Sequence, residues 1–224
     1  MPKDTAGEGT RVVRRVLSAT QAATRDKLID AAIEVATENG YEGAGVREVA
    51  ARAGVSAATA YQHVSSKDQL LIEALLALGD RVSASVESRI PPGSGPAERL
   101  TDVFGRVLRQ AAQKPLLYRA LFRAYVAGYP GLAGVDDSFG FGPERAAWIG
   151  QTLRAGDTGG HDDTQIDTAA RILSTTFLGG IVGVAAGRDA EDVIDVLNEA
   201  VHRLLPGTNS GTGPATERGD DAGT

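Results

Sequence analysis

Covalent or metal-assisted catalysis needs nucleophiles, bases or metal ligands held close together, and this chain of 224 residues offers few of them. It has no cysteine and three histidines, His63, His161 and His202. Thiolate chemistry, disulfides and cysteine-ligated metals are therefore excluded. His161 stands beside Asp162 and Asp163, but no second histidine follows at helical spacing; a loop and a helix cap account for the trio better than a metal does. His202 and Arg203 fall near the end of a helical stretch, where the backbone dipole favours positive charge. Gly43-Ala44-Gly45 is no dinucleotide fingerprint, because no strand precedes it and Glu48 occupies the third glycine's place. The expectation is no enzyme, no cofactor and no metal.

The informative segment is Val46 to Val64, VREVAARAGVSAATAYQHV. It carries what two short helices joined by a tight turn require. Ala50 is small where the second helix crosses the first, and Gly54, four residues later, can take the left-handed turn conformation. Val49, Ala53, Val55, Ala60 and Val64 are apolar where the two helices lock, and the charged and polar residues fall outward. Ser56 is placed to cap the second helix. This is a helix-turn-helix pattern, and its expected partner is double-stranded DNA.

That segment, with Gly40-Tyr41-Glu42 before it and Thr59, Tyr61, His63 and SSKDQLL within and after it, resembles the TetR family of repressors. The stretch Pro115-Leu116-Leu117 to Arg123-Ala124-Tyr125 is more distantly similar to the actinobacterial TetR-type repressors of sterol catabolism. The resemblance implies a homodimer on a palindromic operator. It implies that Ser56, Ala57, Ala58, Thr59, Tyr61 and Gln62 lie on or near the face of a recognition helix. Gln62 would pair with adenine, and Ala or Thr methyls would meet a thymine methyl. Tyr61, His63, Lys67 and Arg47 would reach phosphates. The chain departs from the family where Ala44-Gly45 replaces the usual Thr or Ser, and where Ala60 and Val64 replace larger residues. The packing beneath the recognition helix is therefore lighter, which bears on operator preference.

These residues need helices to hold them, and helical periodicity recurs from Thr24 to Leu205 with no strand pattern between. The expectation is an all-α protein: a three-helix N-terminal domain over 24–68 and a six-helix regulatory, ligand-binding and dimerisation domain over 69–205. A mobile basic arm over 1–23, with Arg11, Arg14 and Arg15, would precede them, and a disordered tail over 206–224 would follow. Thr24 would cap the first helix, Asn39-Gly40 would end it, and Ser66 with Gln69 would form a capping box for a long helix. Pro91 to Pro96 breaks the chain. Further helices are expected over 97–113, 115–127, 143–155, 164–187 and 190–205, the last capped by Asp189. Charge follows the same division. Residues 11–67 hold eight Lys/Arg against six Asp/Glu, whereas 68–224 hold fourteen against twenty-one. DNA contact must therefore come from the front.

The back of the chain holds most of the aromatics. Phe104, Leu108, Tyr118, Phe122, Tyr125, Trp148 and Phe177 are candidates to line an apolar effector cavity, with 128–142 as a mobile cover. The effector would be a small apolar metabolite, lipid-like or, by the more distant resemblance, steroid-like. Val193, Val196, Leu197, Ala200, Val201, Leu204 and Leu205 form one stripe, which supports buried pairing without naming its partner; the family resemblance implies a homodimer formed largely by the last two helices, with Val196 or Val201 as seam positions. Gly179, Gly183 and Gly187, four apart, point to a tight helix crossing, either at a dimer seam or beside a pocket. The apolar stretch Ile172 to Ala186 is interrupted by Ser174, Thr175 and Thr176 and is read as too short for a membrane. No secretory leader is seen, so a cytoplasmic protein is expected. The rival readings are an all-helical enzyme and a protein-binding adaptor that does not bind DNA.

Overall fold

The computed structural model describes residues 19–87, 95–127 and 143–207. Arg11, Arg14 and Arg15, the Pro91 break, the 128–142 loop and most of the tail lie outside the described residues. Nine helices and no strand occur among those described.

Helix α1 spans Ala19–Gly43. It begins before Thr24, whose hydroxyl bonds back to the Thr20 carbonyl at 2.9 Å instead of capping. The helix kinks at Gly40, which sits at φ 62°. A side chain there would be strained, and a Cβ would lie 3.7 Å from Leu116. Leu28, Ala32, Val35 and Ala36 are fully buried, as their spacing on one face requires.

Helices α2 (Val46–Arg52) and α3 (Ala57–His63) form the hairpin. Gly54 has φ 69° in the turn between them, and Val55 N–H returns to the Ala50 carbonyl at 3.0 Å. Helix α4, Lys67–Glu87, follows. Its capping box is only half as expected: Ser66 Oγ accepts from Gln69 N–H, but the Gln69 amide oxygen takes the Ser65 N–H at 2.8 Å.

The remaining helices are α5 (Pro96–Gln113), α6 (Pro115–Val126), α7 (Pro143–Arg154), α8 (Asp163–Ala186) and α9 (Ala190–Leu204). Asp162 and Asp189 cap α8 and α9 through their side chains. The helix α6 packs on α1, α4 and α8, which places it between the N-terminal helices and the rest of the fold.

One expectation about the C-terminal helices is corrected. Val201 is 0% exposed inside the chain's own core, together with Val193, Leu197 and Leu205, whereas Val196 is 60% exposed. The stripe on α9 therefore packs first on α5 and α8, and of the two seam positions Val196 is the one left exposed, with Ala200 and Leu204 half-buried. Within the chain, α8 comes closest to α9 at Gly180. A Cβ there would meet Val193 at 3.0 Å and Leu197 at 3.2 Å, while Gly179 faces open space and Gly187 is the left-handed cap of α8. Helix α8 also exceeds the apolar stretch read from sequence. With 24 residues and a window within it of mean hydropathy 1.5, it is long and apolar enough to cross a membrane, but half of that window is buried among its neighbours, as in a core helix.

Candidate nucleic-acid interface

Helix α3 is short, so its cap and its packing decide its position. Ser56 Oγ accepts the Thr59 N–H at 3.0 Å and lies 2.8 Å from the Thr59 hydroxyl. A hydroxyl cap of this kind contributes about 1 kcal/mol to a helix. Ala60 and Val64 are buried beneath. These constraints turn Ala58, Tyr61 and Gln62 outward; all three are exposed, and their i, i+3, i+4 spacing gives one face. Ala57 and His63 are half-buried at the two ends of the helix. Of the expected reading set, Ser56 and Thr59 are thus occupied with each other, and Ala58, Tyr61 and Gln62 form the free edge.

The cations around this edge differ in availability. Arg47 on α2 is exposed and has no partner among the described residues. Arg52, also on α2, is held by Glu38 through two nitrogens at 3.0 and 2.7 Å and by Glu34 at 3.5 Å. Glu38 in turn is held below the usual carboxylate range, chiefly by its hydrogen bond to Arg52. Arg25 pairs with Glu73, and Arg81 with Asp30.

Lys67 stands at the start of α4, where a phosphate contact is expected, but its ammonium is engaged within the chain. It donates to the Tyr41 carbonyl at 3.1 Å and lies 3.7 Å from the centre of the Tyr41 ring. The same ring is approached at 4.0 Å by the guanidinium of Arg123 on α6, which also pairs with Glu42 at 2.7 Å. The Tyr41 hydroxyl donates to Asp68 at 2.6 Å, and this bond to a carboxylate, with some burial, raises the phenol above its ordinary value. One side chain at the kinked end of α1 therefore ties together α1, α4 and α6. Sequence reading marked Tyr41 only as part of a motif; nothing in its spacing shows Arg123, eighty-two residues on, beside it.

The candidate effector residues fall into two groups. Phe104 and Phe177 stack at 4.3 Å, with Trp148 edge-on to them at 6.2 and 6.0 Å. Tyr118 and Phe122, both buried, lie 6.4 Å apart on α6, with half-buried Tyr125 one turn further on. Leu108, one turn after Phe104 on α5, is fully buried and approaches Gly180 of α8, beside Val193 and Leu197. A cleft of 230 Å³ between the start of α8 and the end of α9 is lined by Thr164, Gln165, Thr168, Ala169 and Leu204, none of them in the expected set. Sequence reading also missed Arg99. It is 2% exposed and donates to the carbonyls of Thr152, Leu153 and Asp157 at 2.7 to 3.1 Å, closing the end of α7. Burial lowers its pKa.

Residues 28–74 match the family model described as bacterial regulatory proteins, tetR family. The chain is 32% identical over 192 residues to the HTH-type transcriptional repressor KstR of Mycolicibacterium smegmatis, covering 85% of this chain and 91% of that one. Among solved structures, a TetR transcriptional regulator from Rhodococcus sp. superposes with a TM-score of 0.67 at 28% identity, covering 84% of this chain and 97% of the other. The FadR repressor of Thermus thermophilus, crystallised with lauroyl-CoA, has a TM-score of 0.63 at 22% identity, covering 85% and 98%, and shares the fold.

Proposed function

The chain belongs to the tetR family of bacterial regulatory proteins, and from that premise we propose that it is a repressor that sits on a palindromic operator as a homodimer and leaves it when a small apolar metabolite binds. It is a DNA-binding transcriptional regulator and not an enzyme, as its relatives are. On this reading 24–68 grips the DNA, 69–205 senses the effector and pairs the copies, and the protein works in the cytoplasm.

The observation that carries the DNA half is the free edge Ala58, Tyr61 and Gln62 on a helix fixed by its Ser56 cap. Gln62 presents the donor and acceptor that adenine matches in the major groove. Arg47, unpaired and exposed, supplies a phosphate contact. Lys67, with one of its three N–H donors on the Tyr41 carbonyl, adds a second. Two such helices in a dimer would match two half-sites one helical turn apart.

The sensing half is supported by the apolar aromatic groups on α5 to α8 and by the position of α6. Arg119 of α6 donates to the Ala185 carbonyl at the end of α8 at 2.5 Å, and Arg123, one turn on, holds Tyr41 and Glu42. A shift of α6 would therefore be felt at the start of α4. An effector releases DNA only if it binds the non-DNA arrangement more tightly; equal affinity for both shifts nothing.

The test uses duplex DNA from upstream of the protein's own gene. Arg47→Ala should weaken binding to every sequence alike and reduce the salt slope, whereas Gln62→Ala should change which base is preferred at one position of each half-site. If Gln62→Ala leaves sequence preference intact, α3 is not the reading helix.

A further inference from the structure

Of the ion pairs that join α1 to α2 and α4 among the described residues, one differs from the rest. Glu34, Glu38 and Asp30 are each more than half exposed, so their links to Arg52 and Arg81 lie on the surface. Glu73 on α4 is 11% exposed, and both of its oxygens are taken: Gln69 Nε2 donates to Oε1 and Arg25 Nε to Oε2, each at 3.0 Å. A carboxylate withdrawn from water in this way needs such partners and is fixed by them. Arg25 itself is 42% exposed. It is tied through Nε alone, and its two Nη groups, which carry four of its five donors, have no partner among the described residues.

The chain of bonds continues from Glu73 to the turn after the recognition helix. Gln69 Oε1 accepts the Ser65 N–H at 2.8 Å and the Ser65 hydroxyl at 2.9 Å. Ser65 is exposed between α3 and α4. Ser65, Gln69 and Glu73 are four apart, so they run up one face of the start of α4. Lys67 leaves that start in another direction, towards Tyr41 at the end of α1. The two ends of α1 therefore set cations on different faces of the first turns of α4: Lys67 beside Tyr41, and Arg25 beside Glu73.

We infer that Arg25 is a further phosphate contact in the operator complex, held in place for it by Glu73 and Gln69. The inference rests on the reading of α3 as the helix that enters the groove. A duplex that receives Ala58, Tyr61 and Gln62 brings its backbone past the turn that follows α3, and the bonded chain from Ser65 ends on Arg25. A guanidinium suits that place. Its donors form a rigid fork, so Nε can hold Glu73 while the Nη groups take phosphate oxygens. Glu73 sets the direction of the fork before DNA arrives, so less side-chain freedom is lost on binding. The contact positions the protein on the duplex and reads no base.

The test is fluorescence anisotropy with the full chain, on the duplex upstream of its own gene and on a scrambled duplex, across a salt series. Each phosphate contact contributes about 0.9 to the slope of log affinity against log salt. A dimer carries Arg25 twice, so Arg25→Gln should make the slope shallower by about two and weaken both duplexes by about tenfold or more at low salt. Glu73→Gln, which leaves the cation in place, should keep the wild-type slope. Arg25→Gln leaves Glu73 without its counter-charge, so the double variant Arg25→Gln/Glu73→Gln is also measured against Glu73→Gln alone. It should show the same difference of about two, with the helical circular dichroism of the wild type. If removing Arg25 weakens binding at an unchanged slope, or changes neither, Arg25 is a strap between α1 and α4 and the inference fails while the DNA-binding reading stands. If the wild type binds neither duplex, that reading fails and this inference falls with it.

Discussion

Two valines on α9, five residues apart, are expected to respond in opposite ways to the same substitution. Val201 has no exposed surface and is enclosed by the chain's own helices, whereas Val196 is 60% exposed. Replacing Val201 with Asp removes a burial worth about 1.5–3 kcal/mol and leaves an unpaired carboxylate in its place, at several kcal/mol more. A total on the order of 5 kcal/mol or above rivals the whole stability of a typical domain, roughly 5–15 kcal/mol. Val201→Asp should therefore unfold the protein, or nearly so, whatever its oligomeric state. Val196→Asp should cost the single chain less than about 0.5 kcal/mol. If a second copy covers Val196, however, a two-fold axis repeats the change in both subunits, and the pair should dissociate while staying helical. Circular dichroism gives the folding and sedimentation velocity gives the mass. A folded dimer for Val201→Asp would refute the core assignment. A dimer of unchanged affinity for Val196→Asp would move the interface away from this face.

Arg123→Ala removes one cation from the Tyr41 ring and one exposed ion pair, about 1 kcal/mol together. If that energy couples the domains, the ratio of operator affinities without and with effector should shrink about fivefold; an unchanged ratio in fluorescence anisotropy would show that α6 signals by another route. Arg99→Met leaves the carbonyls at the end of α7 without their donor, and urea unfolding should show a loss of about 3 kcal/mol; an unshifted midpoint would mean water replaces the guanidinium. The phenols of Tyr41 and Tyr118 are raised, by the bond to Asp68 and by burial respectively. Their contribution to stability is therefore complete below the unfolded value near 10 and is lost as pH rises through the folded values. In an absorbance titration at alkaline pH, two of the five tyrosines should ionise late and together with unfolding. Five tyrosines titrating alike in the folded protein would contradict this.

Local rules carried the helices, and neighbours decided the rest. Ser56, Asp162 and Asp189 cap where their hydroxyls and carboxylates reach the next backbone N–H groups, and the prolines open α5, α6 and α7, because those contacts span three or four residues. The start of α1 was misread because Thr24 can bond backward as easily as forward. The α9 stripe was legible as buried, but periodicity does not say by what. Val193, Leu197 and Val201 turn to α5 and α8, and Val196 is left exposed. Glycine spacing singled out 179, 183 and 187, but it did not show the close approach at Gly180, where Val193 and Leu197 come from a different helix. Of the expected DNA residues, the exposed edge of α3 followed from the motif. The hold of Tyr41 on Lys67, and the presence of Arg123 beside it, depend on contacts between residues far apart in sequence.

The most direct test of the account is equilibrium binding of the purified protein to its own upstream duplex and to a scrambled duplex of equal length, across a salt series. The account predicts two protomers per site, preference for the upstream sequence by about a thousandfold or more, and affinity that falls steeply and linearly in log salt as phosphate contacts displace counterions. Equal affinity for both duplexes, or binding that does not respond to salt, would contradict it.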